Sequence, residues 1–194
     1  MTCSKIIGAR AYDGRSSNSS LSPVDDDGHG SHTASTAAGR AVANTSLSGL
    51  AAGTARGAVP GARLAVYKVC CGEAEILAGF DDAIADGVDV ISISIGSPFA
   101  FDYVSDVIAI GAFHAMKRGV LTSASAGNSG LEGFTVCNVA PWMLSVAASS
   151  IDRKFIDKIV LGNGKTIVVS AEINMLMGAP IPVIIMLLPF FFLH

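Results

Sequence analysis

Apolar and polar residues follow two different patterns between residues 64 and 126. Residues 64–69, 88–95 and 120–126 are short apolar runs with the length and β-branched content of strands. Residues 73–86 and 103–117 instead place apolar side chains every three or four positions, on one helical face. Strand, helix, strand, helix, strand is the order of βαβ units. We therefore expect an α/β fold in which these three strands lie parallel in one sheet, covered by helices on both faces.

The flanking segments extend this pattern less clearly. Residues 5–12 are compatible with a strand and precede an Asp-Gly turn pair, and residues 143–148 predict a further strand. Residues 29–39 are rich in small side chains and close on a glycine, which predicts a short, tightly packed helix. Residues 40–60 contain three glycines without a clear period, so we expect an irregular stretch.

Residues 158–168 contain a possible phosphate-binding signal. Gly164, Lys165 and Thr166 match the end of a P-loop, but Ile159 stands where that loop requires its first glycine. Asn163 and Gly164 between two β-rich runs are a hairpin signal. We therefore predict a β-hairpin here.

The C-terminal part of the chain changes character. Residues 173–193 carry no charge and are long enough to span a bilayer, but three prolines interrupt them. We assign residues 1–168 to a partial folded domain and residues 169–194 to an unrelated apolar tail. A membrane anchor, a collapsed apolar end and an end misjoined to the domain remain open. Residues 1–12 show no secretory signal peptide.

Composition narrows the function classes. Hydrophobic residues make up 51% of the 194 positions, which excludes a disordered chain. The net charge of -3 argues against a general nucleic-acid binder, which needs a basic surface. No motif indicates a cofactor. The four cysteines lack the CxxC spacing of zinc ribbons and redox sites, so we expect unpaired thiols in a core.

Acidic residues and histidines cluster near residue 29. Asp25, Asp26 and Asp27 could suggest calcium, but no alternating ligand loop follows, so an exposed acidic turn is the better interpretation. His29 and His32 could share a helix face and bind a metal, but the glutamate of a zinc-protease motif is absent. Alternatively, His29 between two glycines could serve as a general base near neutral pH.

Three segments in order resemble one family of enzymes. The sequence DGHGSHTAS at residues 27–35 resembles the active-site histidine motif of subtilisin-like serine proteases, the subtilases. SASAGNSG at residues 123–130 resembles their oxyanion-asparagine motif, and GVDVISISIG at residues 87–96 resembles the strand beside the substrate cleft. Residues 138–150 and 161–165 are similar to the plant, cucumisin-like branch. The resemblance covers roughly residues 5–168 and implies a doubly wound, subtilisin-like sheet truncated at both ends.

The resemblance implies roles for the catalytic residues. His29 would be the base that takes the nucleophile's proton and returns it to the leaving amine. Asn128 would donate its side-chain amide to the oxyanion. No metal or other cofactor is implied.

The resemblance also implies a binding cleft for a peptide or protein substrate. One wall would pair with the substrate backbone as an added strand, and the opposite wall would line the first specificity pocket. The residues of the first wall are Ser94, Ile95 and Gly96, and those of the second are Ser125, Ala126 and Gly127.

Two parts of the family's catalytic triad are missing from these 194 residues. The family's aspartate lies in an Asp-Thr/Ser-Gly motif upstream of the segment that matches residues 5–14, and its nucleophile lies in a Gly-Thr-Ser-Met motif downstream. Neither motif occurs here, and Asp13 follows the wrong strand to replace the aspartate. We therefore expect an endopeptidase fragment that is inactive alone. The alternative is a non-catalytic remnant that at most binds extended peptides. The family further implies secretion, and a membrane partner follows only if residues 173–193 are an anchor.

Overall fold

The protein is represented by a computed structural model that describes residues 5–12, 21–69, 72–152 and 156–170. The chain forms two compact units, Met1–Ala148 and Ser149–His194. Of the predicted tail, residues 169–194, the first two residues pair in a strand of the second unit, which corrects the predicted boundary, and residues 171–194 lie outside the described residues. Cys3, Cys70 and Cys71 also lie outside the described residues. No helix among the described residues is both long and apolar enough to cross a bilayer.

Three helices and nine strands make up the described part of the chain. In chain order they are β1 (Ile6–Tyr12), α1 (His29–Ala38), β2 (Val42–Leu47), β3 (Leu50–Ala55), β4 (Leu64–Val69), α2 (Glu73–Asp86), β5 (Val90–Ile93), α3 (Val107–Lys117), β6 (Leu121–Ser125), β7 (Leu144–Val146), β8 (Ile156–Val160) and β9 (Thr166–Ser170).

Parallel pairing dominates the larger unit. Strands β5, β6 and β7 form one parallel sheet in that order, and β1 pairs in parallel with β4. Helices α2 and α3 pack against each other, α2 against β4 and α3 against β6. The buried cluster between them includes Ile76 and Phe80 of α2, Ile108 of α3 and Ala124 of β6. The predicted α/β fold with parallel strands and helices is confirmed.

The expectation of one sheet containing residues 64–69, 88–95 and 120–126 was wrong in one respect. Strand β4 hydrogen-bonds to β1 and not to β5, although α2 connects β4 to β5 directly. Consecutive parallel strands are neighbours only about two-thirds of the time. Val69 of β4 and Ile91 of β5 nevertheless pack against the same buried cluster, so both strands share one helical layer.

Two element boundaries also differ from the expectation. Residues 42–55 form an antiparallel hairpin and are not irregular. Its turn uses Ser48 and Gly49, which both have positive φ values of 50° and 88°, as tight hairpins require. Helix α3 begins at Val107 and not near residue 103, because the Asp106 carboxylate accepts a hydrogen bond from the Ile108 N–H at 2.9 Å and caps the helix.

The smaller unit contains the predicted hairpin. Strands β8 and β9 pair antiparallel around Asn163 and Gly164. Gly164 has a φ of 82°, and the Asn163 side chain accepts a hydrogen bond from the Lys165 N–H at 3.0 Å. A hairpin, and not a phosphate-binding loop, is confirmed at this position.

Candidate active site

His29 is the first residue of α1, and its position depends on the turn before it. Gly28 precedes it with a φ of 96°, a left-handed conformation that glycine adopts without steric cost. A glycine at this position has no side chain with which to cap the helix. The exposed imidazole of His29 therefore stands at a helix start whose backbone N–H groups need another partner.

Asp25 supplies that partner. Its carboxylate accepts hydrogen bonds from the backbone N–H groups of Asp27 at 3.1 Å, Gly28 at 2.9 Å and Ser31 at 2.6 Å. Ser31 lies three residues after the cap position, so Asp25 binds the N–H that an ordinary capping side chain would bind. A hydrogen bond with the Ser31 side chain, together with these N–H groups, holds the pKa of Asp25 well below its usual range.

The acidic turn is thus a structural element and not simply an exposed loop, which corrects the interpretation from sequence. Asp26 forms an ion pair with Lys68 of β4 at 2.8 Å, and Lys68 also donates to the carbonyl of Val24 at 2.7 Å. These contacts attach the turn before His29 to β4. The spacing of an aspartate three residues before a glycine at the helix start was the sequence signal that could have indicated this role.

His29 and His32 lie on the same helix. Among the described residues, no three histidine, cysteine, aspartate or glutamate side chains lie close enough together to hold a metal ion. The Thr33 hydroxyl donates to the Gly30 carbonyl at 3.1 Å, which is a helix-internal contact.

Asn128 follows the carboxyl end of β6. The chain turns at Gly127, whose φ is 86°, and Asn128 is exposed directly after it. A side chain at Gly127 would place its Cβ atom 2.9 Å from the Cys137 Sγ atom, so both the conformation and the space there require glycine. That His29 and Asn128 face one cleft, within about 10 Å, stays a prediction.

The two predicted cleft walls lie side by side. The wall of Ser94, Ile95 and Gly96 follows β5. The wall of Ser125, Ala126 and Gly127 begins at the last residue of β6, the parallel neighbour of β5, and continues beyond it. The Ser125 hydroxyl donates to the Ile95 carbonyl at 3.4 Å and joins the walls directly. Carboxyl ends of neighbouring parallel strands are where open α/β sheets place ligand sites.

Cys137 and Asn138 form hydrogen bonds with residues of these two walls, a role that the sequence did not indicate. Both are buried, with 1% and 3% of their surfaces exposed. The Cys137 N–H donates to the Ala126 carbonyl at 3.1 Å. Cys137 is a free, buried thiol, which confirms for this one cysteine the expectation of unpaired core thiols.

Comparison with known proteins identifies relatives over most of the chain. A sequence profile of the Subtilase family, peptidase S8, matches residues 8–173. The Arabidopsis thaliana subtilisin-like protease SBT4.14 is 60% identical over 170 residues, which are 84% of this chain and 23% of that protein. SBT4.3 from the same plant is 54% identical over 184 residues, 93% of this chain and 25% of that protein. This chain therefore spans about a quarter of the length of these curated relatives.

A solved structure shows the same fold. Sphericase superposes with a TM-score of 0.54 and 27% identity over 85% of this chain and 51% of that protein. His29 at the start of α1 and Asn128 after the end of β6 both lie within the residues that the family profile matches.

Proposed function

This chain belongs to the subtilase family of subtilisin-like serine proteases, and from that premise we propose that it carries the base, the oxyanion donor and the peptide-binding walls of a serine endopeptidase. The observation that supports this most directly is the hydrogen-bonded junction between the Ser94–Gly96 wall and the Ser125–Gly127 wall. Two segments that resemble the family's cleft motifs are 31 positions apart in sequence, and the fold holds them in contact.

His29 acts as the general base in this proposal. It accepts the proton of a serine hydroxyl as the hydroxyl attacks the peptide carbonyl, and it returns that proton to the leaving amine. The imidazole is exposed at the start of α1, where a substrate can reach it. The Asp25 carboxylate fixes the backbone of this turn and so orients the helix start that carries His29.

Asn128 acts as the oxyanion donor. Its side-chain amide donates a hydrogen bond to the negative oxygen of the tetrahedral intermediate, where charge develops during the reaction. Loss of such a donor lowers kcat about 100- to 1,000-fold. This magnitude was established on an asparagine of subtilisin, which belongs to the same family. Asn128 follows the turn at Gly127 and is exposed, so its amide is accessible to a substrate.

The first wall binds the substrate backbone. Strand β5 is an edge of its three-stranded sheet within the described residues, and Ser94 and Gly96 are exposed. An extended peptide can add to such an edge as a further strand through main-chain hydrogen bonds. The substrate class is accordingly a peptide or an exposed protein segment. We further propose, from the family resemblance, that the protein acts outside the cell.

Neither the Asp-Thr/Ser-Gly motif of the orienting aspartate nor the Gly-Thr-Ser-Met motif of the nucleophile occurs in these 194 residues. We therefore propose that the chain alone does not cleave peptides, because a base cannot act without a hydroxyl to deprotonate. The second candidate function is peptide binding without cleavage, and the intact junction of the two walls favours it for the isolated chain.

Two protein preparations test the proposal. The first is the 194-residue chain, incubated with a fluorophosphonate probe and a generic peptide substrate; we expect neither labelling nor turnover. The second is Arabidopsis SBT4.14 in which the aligned region is replaced by residues 8–168 of this chain; we expect active protease. In that chimera, His29→Ala should abolish labelling, and Asn128→Ala should lower kcat about 100- to 1,000-fold.

His114→Ala is the matched control, because His114 is an exposed histidine on α3, outside both motifs. A chimera that keeps its activity after His29→Ala would overturn the catalytic assignment. Turnover by the 194-residue chain that disappears with His29→Ala would show that another serine completes the site.

A further inference from the structure

Asn138 has an environment that the catalytic assignment does not explain. Its side chain is 3% exposed, and its Nδ2 atom donates to the carbonyl of Ile95 and to the carbonyl of Ser125, each at 2.8 Å. Ile95 belongs to one proposed cleft wall and Ser125 to the other. One buried amide thus connects both walls by hydrogen bonds through its two N–H groups.

The chemistry of this position leaves few alternatives to asparagine. Asn138 has a φ of 55°, in the left-handed region that asparagine, aspartate and glycine tolerate best. Two carbonyl acceptors require two N–H groups on one atom, which the asparagine amide supplies. An ionised aspartate has no proton to donate, and a glycine has no side chain. The Ser145 hydroxyl in turn donates to the Asn138 carbonyl and anchors its backbone.

The direction of the Ile95 carbonyl determines which backbone groups of this wall remain free to hydrogen-bond with a peptide. Its partners, Asn138 and the Ser125 hydroxyl, both lie on the β6 side of the wall. Successive carbonyl groups of an extended chain point to opposite edges. Residues 94–96 follow β5, and in an extended continuation of that strand an Ile95 carbonyl directed towards β6 turns the backbone groups of Ser94 and Gly96 to the opposite edge, where β5 has no neighbouring strand in the described residues.

Neighbouring packing reinforces the same junction. A Cβ atom on Gly96 would lie 2.5 Å from the Cys137 Sγ atom and 3.6 Å from the Asn138 Nδ2 atom. The Cys137 thiol also lies 3.8 Å from the Ser125 carbonyl. The Cys137–Asn138 pair therefore fills the space behind both walls, and little room is left for the walls to move towards each other.

We propose that Asn138 is a positioning residue for peptide binding: its amide sets the separation of the two walls and leaves the Ser94 and Gly96 edge open to an extended peptide. This rests on the proposed function, since it assumes that these walls bind substrate. Asn138 does not touch the peptide; it acts through Ile95 and Ser125. Without the amide, both carbonyls lose their donor and the walls can shift relative to each other.

The test measures peptide binding by the full 194-residue chain. The probes are fluorescein-labelled octapeptides with alanine at all positions but one, and the readout is fluorescence anisotropy with the tightest-binding member. Asn138→Asp keeps the side-chain shape and the backbone preference but leaves at most one donor, the O–H of a protonated carboxyl, for the two carbonyls, and we expect its Kd to rise about tenfold. If the aspartate variant does not fold, Asn138→Gly, which suits the left-handed backbone, replaces it with the same expectation.

Trp142→Phe is the control for a merely structural effect. It removes a single hydrogen bond, from the Trp142 Nε1 atom to the Ala109 carbonyl at 2.8 Å, from the same segment but on the side of α3. We expect it to lower the melting temperature and leave the Kd unchanged. An Asn138→Asp Kd that rises no more than that of Trp142→Phe would overturn the positioning role.

The active chimera separates this inference from the proposed function. There, Asn138→Asp should raise KM about tenfold with little change in kcat or in the pH profile, because binding and not proton transfer is affected. A fall in kcat with unchanged KM contradicts the inference and leaves His29 and Asn128 unaffected as assignments. If the unsubstituted chain binds no peptide and the chimera is inactive, the proposed function fails as well.

Discussion

A Cβ atom built on Gly96 would lie 2.5 Å from the Sγ atom of Cys137, well inside the 3.5–4 Å or so at which nonbonded heavy atoms pack. Gly96 stands at the end of one proposed cleft wall, and Cys137 is buried behind it with 1% of its surface exposed. The wall can approach Cys137 this closely only because residue 96 has no side chain. The relationship makes glycine a packing requirement at this position.

Gly96→Ala should therefore destabilise the protein by about 1–3 kcal/mol, the usual cost of overpacking. Urea unfolding of the full chain measures this. Gly133→Ala is the matched control, because a Cβ there meets nothing within 4 Å. The double variant Gly96→Ala with Cys137→Ala should recover part of the loss, since alanine lacks the thiol. Additive effects of the two substitutions would contradict the proposed clash.

Thr122 offers a gain in stability. It is the second residue of β6 and is 1% exposed, and its hydroxyl has no hydrogen-bond partner. Because an unpaired buried hydroxyl costs about 1–3 kcal/mol, Thr122→Val, which keeps the shape and removes the hydroxyl, should raise the free energy of unfolding by about 1 kcal/mol. Thr122→Ser keeps the hydroxyl and loses a methyl group, so it should destabilise. Equal effects of both variants on the thermal midpoint would refute this account.

Asp25 should make the turn before His29 sensitive to acid. Hydrogen bonds with the Ser31 side chain and with the backbone N–H groups of Ser31, Gly28 and Asp27 lower the folded-state pKa of Asp25. A lowered pKa stabilises the turn above the unfolded-state value, near 4, and that stabilisation is lost as the pH falls through the folded-state pKa.

Hydrogen exchange of the Ser31 and Gly28 amides at pH 6 measures this contribution. We expect faster exchange in Asp25→Asn, because the neutral amide is a weaker acceptor than the carboxylate. Asp27→Asn, which alters the exposed carboxylate two positions away, serves as the control. Equal protection of the Ser31 amide in Asp25→Asn and the unsubstituted chain would contradict the capping role.

Two tyrosines should weaken the β1–β4 pair at high pH. Burial, and then the hydrogen bond from Tyr12 to Asp82 at 2.7 Å, raise the pKa of Tyr12 to about 12. Burial, and then the hydrogen bond from Tyr67 to Asp86 at 2.8 Å, raise the pKa of Tyr67 to about 12 as well. A raised pKa gives stability that is full below the unfolded value near 10 and is lost as the pH approaches 12.

Absorbance at the phenolate band, followed from pH 9 to 13, tests this directly. Tyr12→Phe and Tyr67→Phe should each remove one late-titrating phenol, and the double variant should lose stability less steeply above pH 10. Tyr103→Phe is the control, since Tyr103 lies away from both carboxylates, beside Trp142. Phenols at Tyr12 and Tyr67 that titrate near 10 would show that the two carboxylates do not contact them.

Local pattern predicted much of the fold. Helix α2 spans Glu73–Asp86, the range predicted from its periodic apolar residues, and the Asn163-Gly164 pair predicted the turn between β8 and β9. These features are readable because the residues that determine them are within a few positions of one another. The hairpin at residues 42–55 was missed, since its strands are exposed and carry little apolar alternation.

The sequence by itself determined the family, the order of the βαβ units and the residue types at positions 29 and 128. Only the tertiary structure decided that β4 pairs with β1, that Asp25 caps the helix of His29, and that Asn138 joins the two walls. Asn138 binds carbonyls 43 and 13 positions away, and a backbone carbonyl is present at every residue. Periodicity records which side chains are buried, but it carries no information about which backbone groups meet, and that choice is made when the whole chain packs.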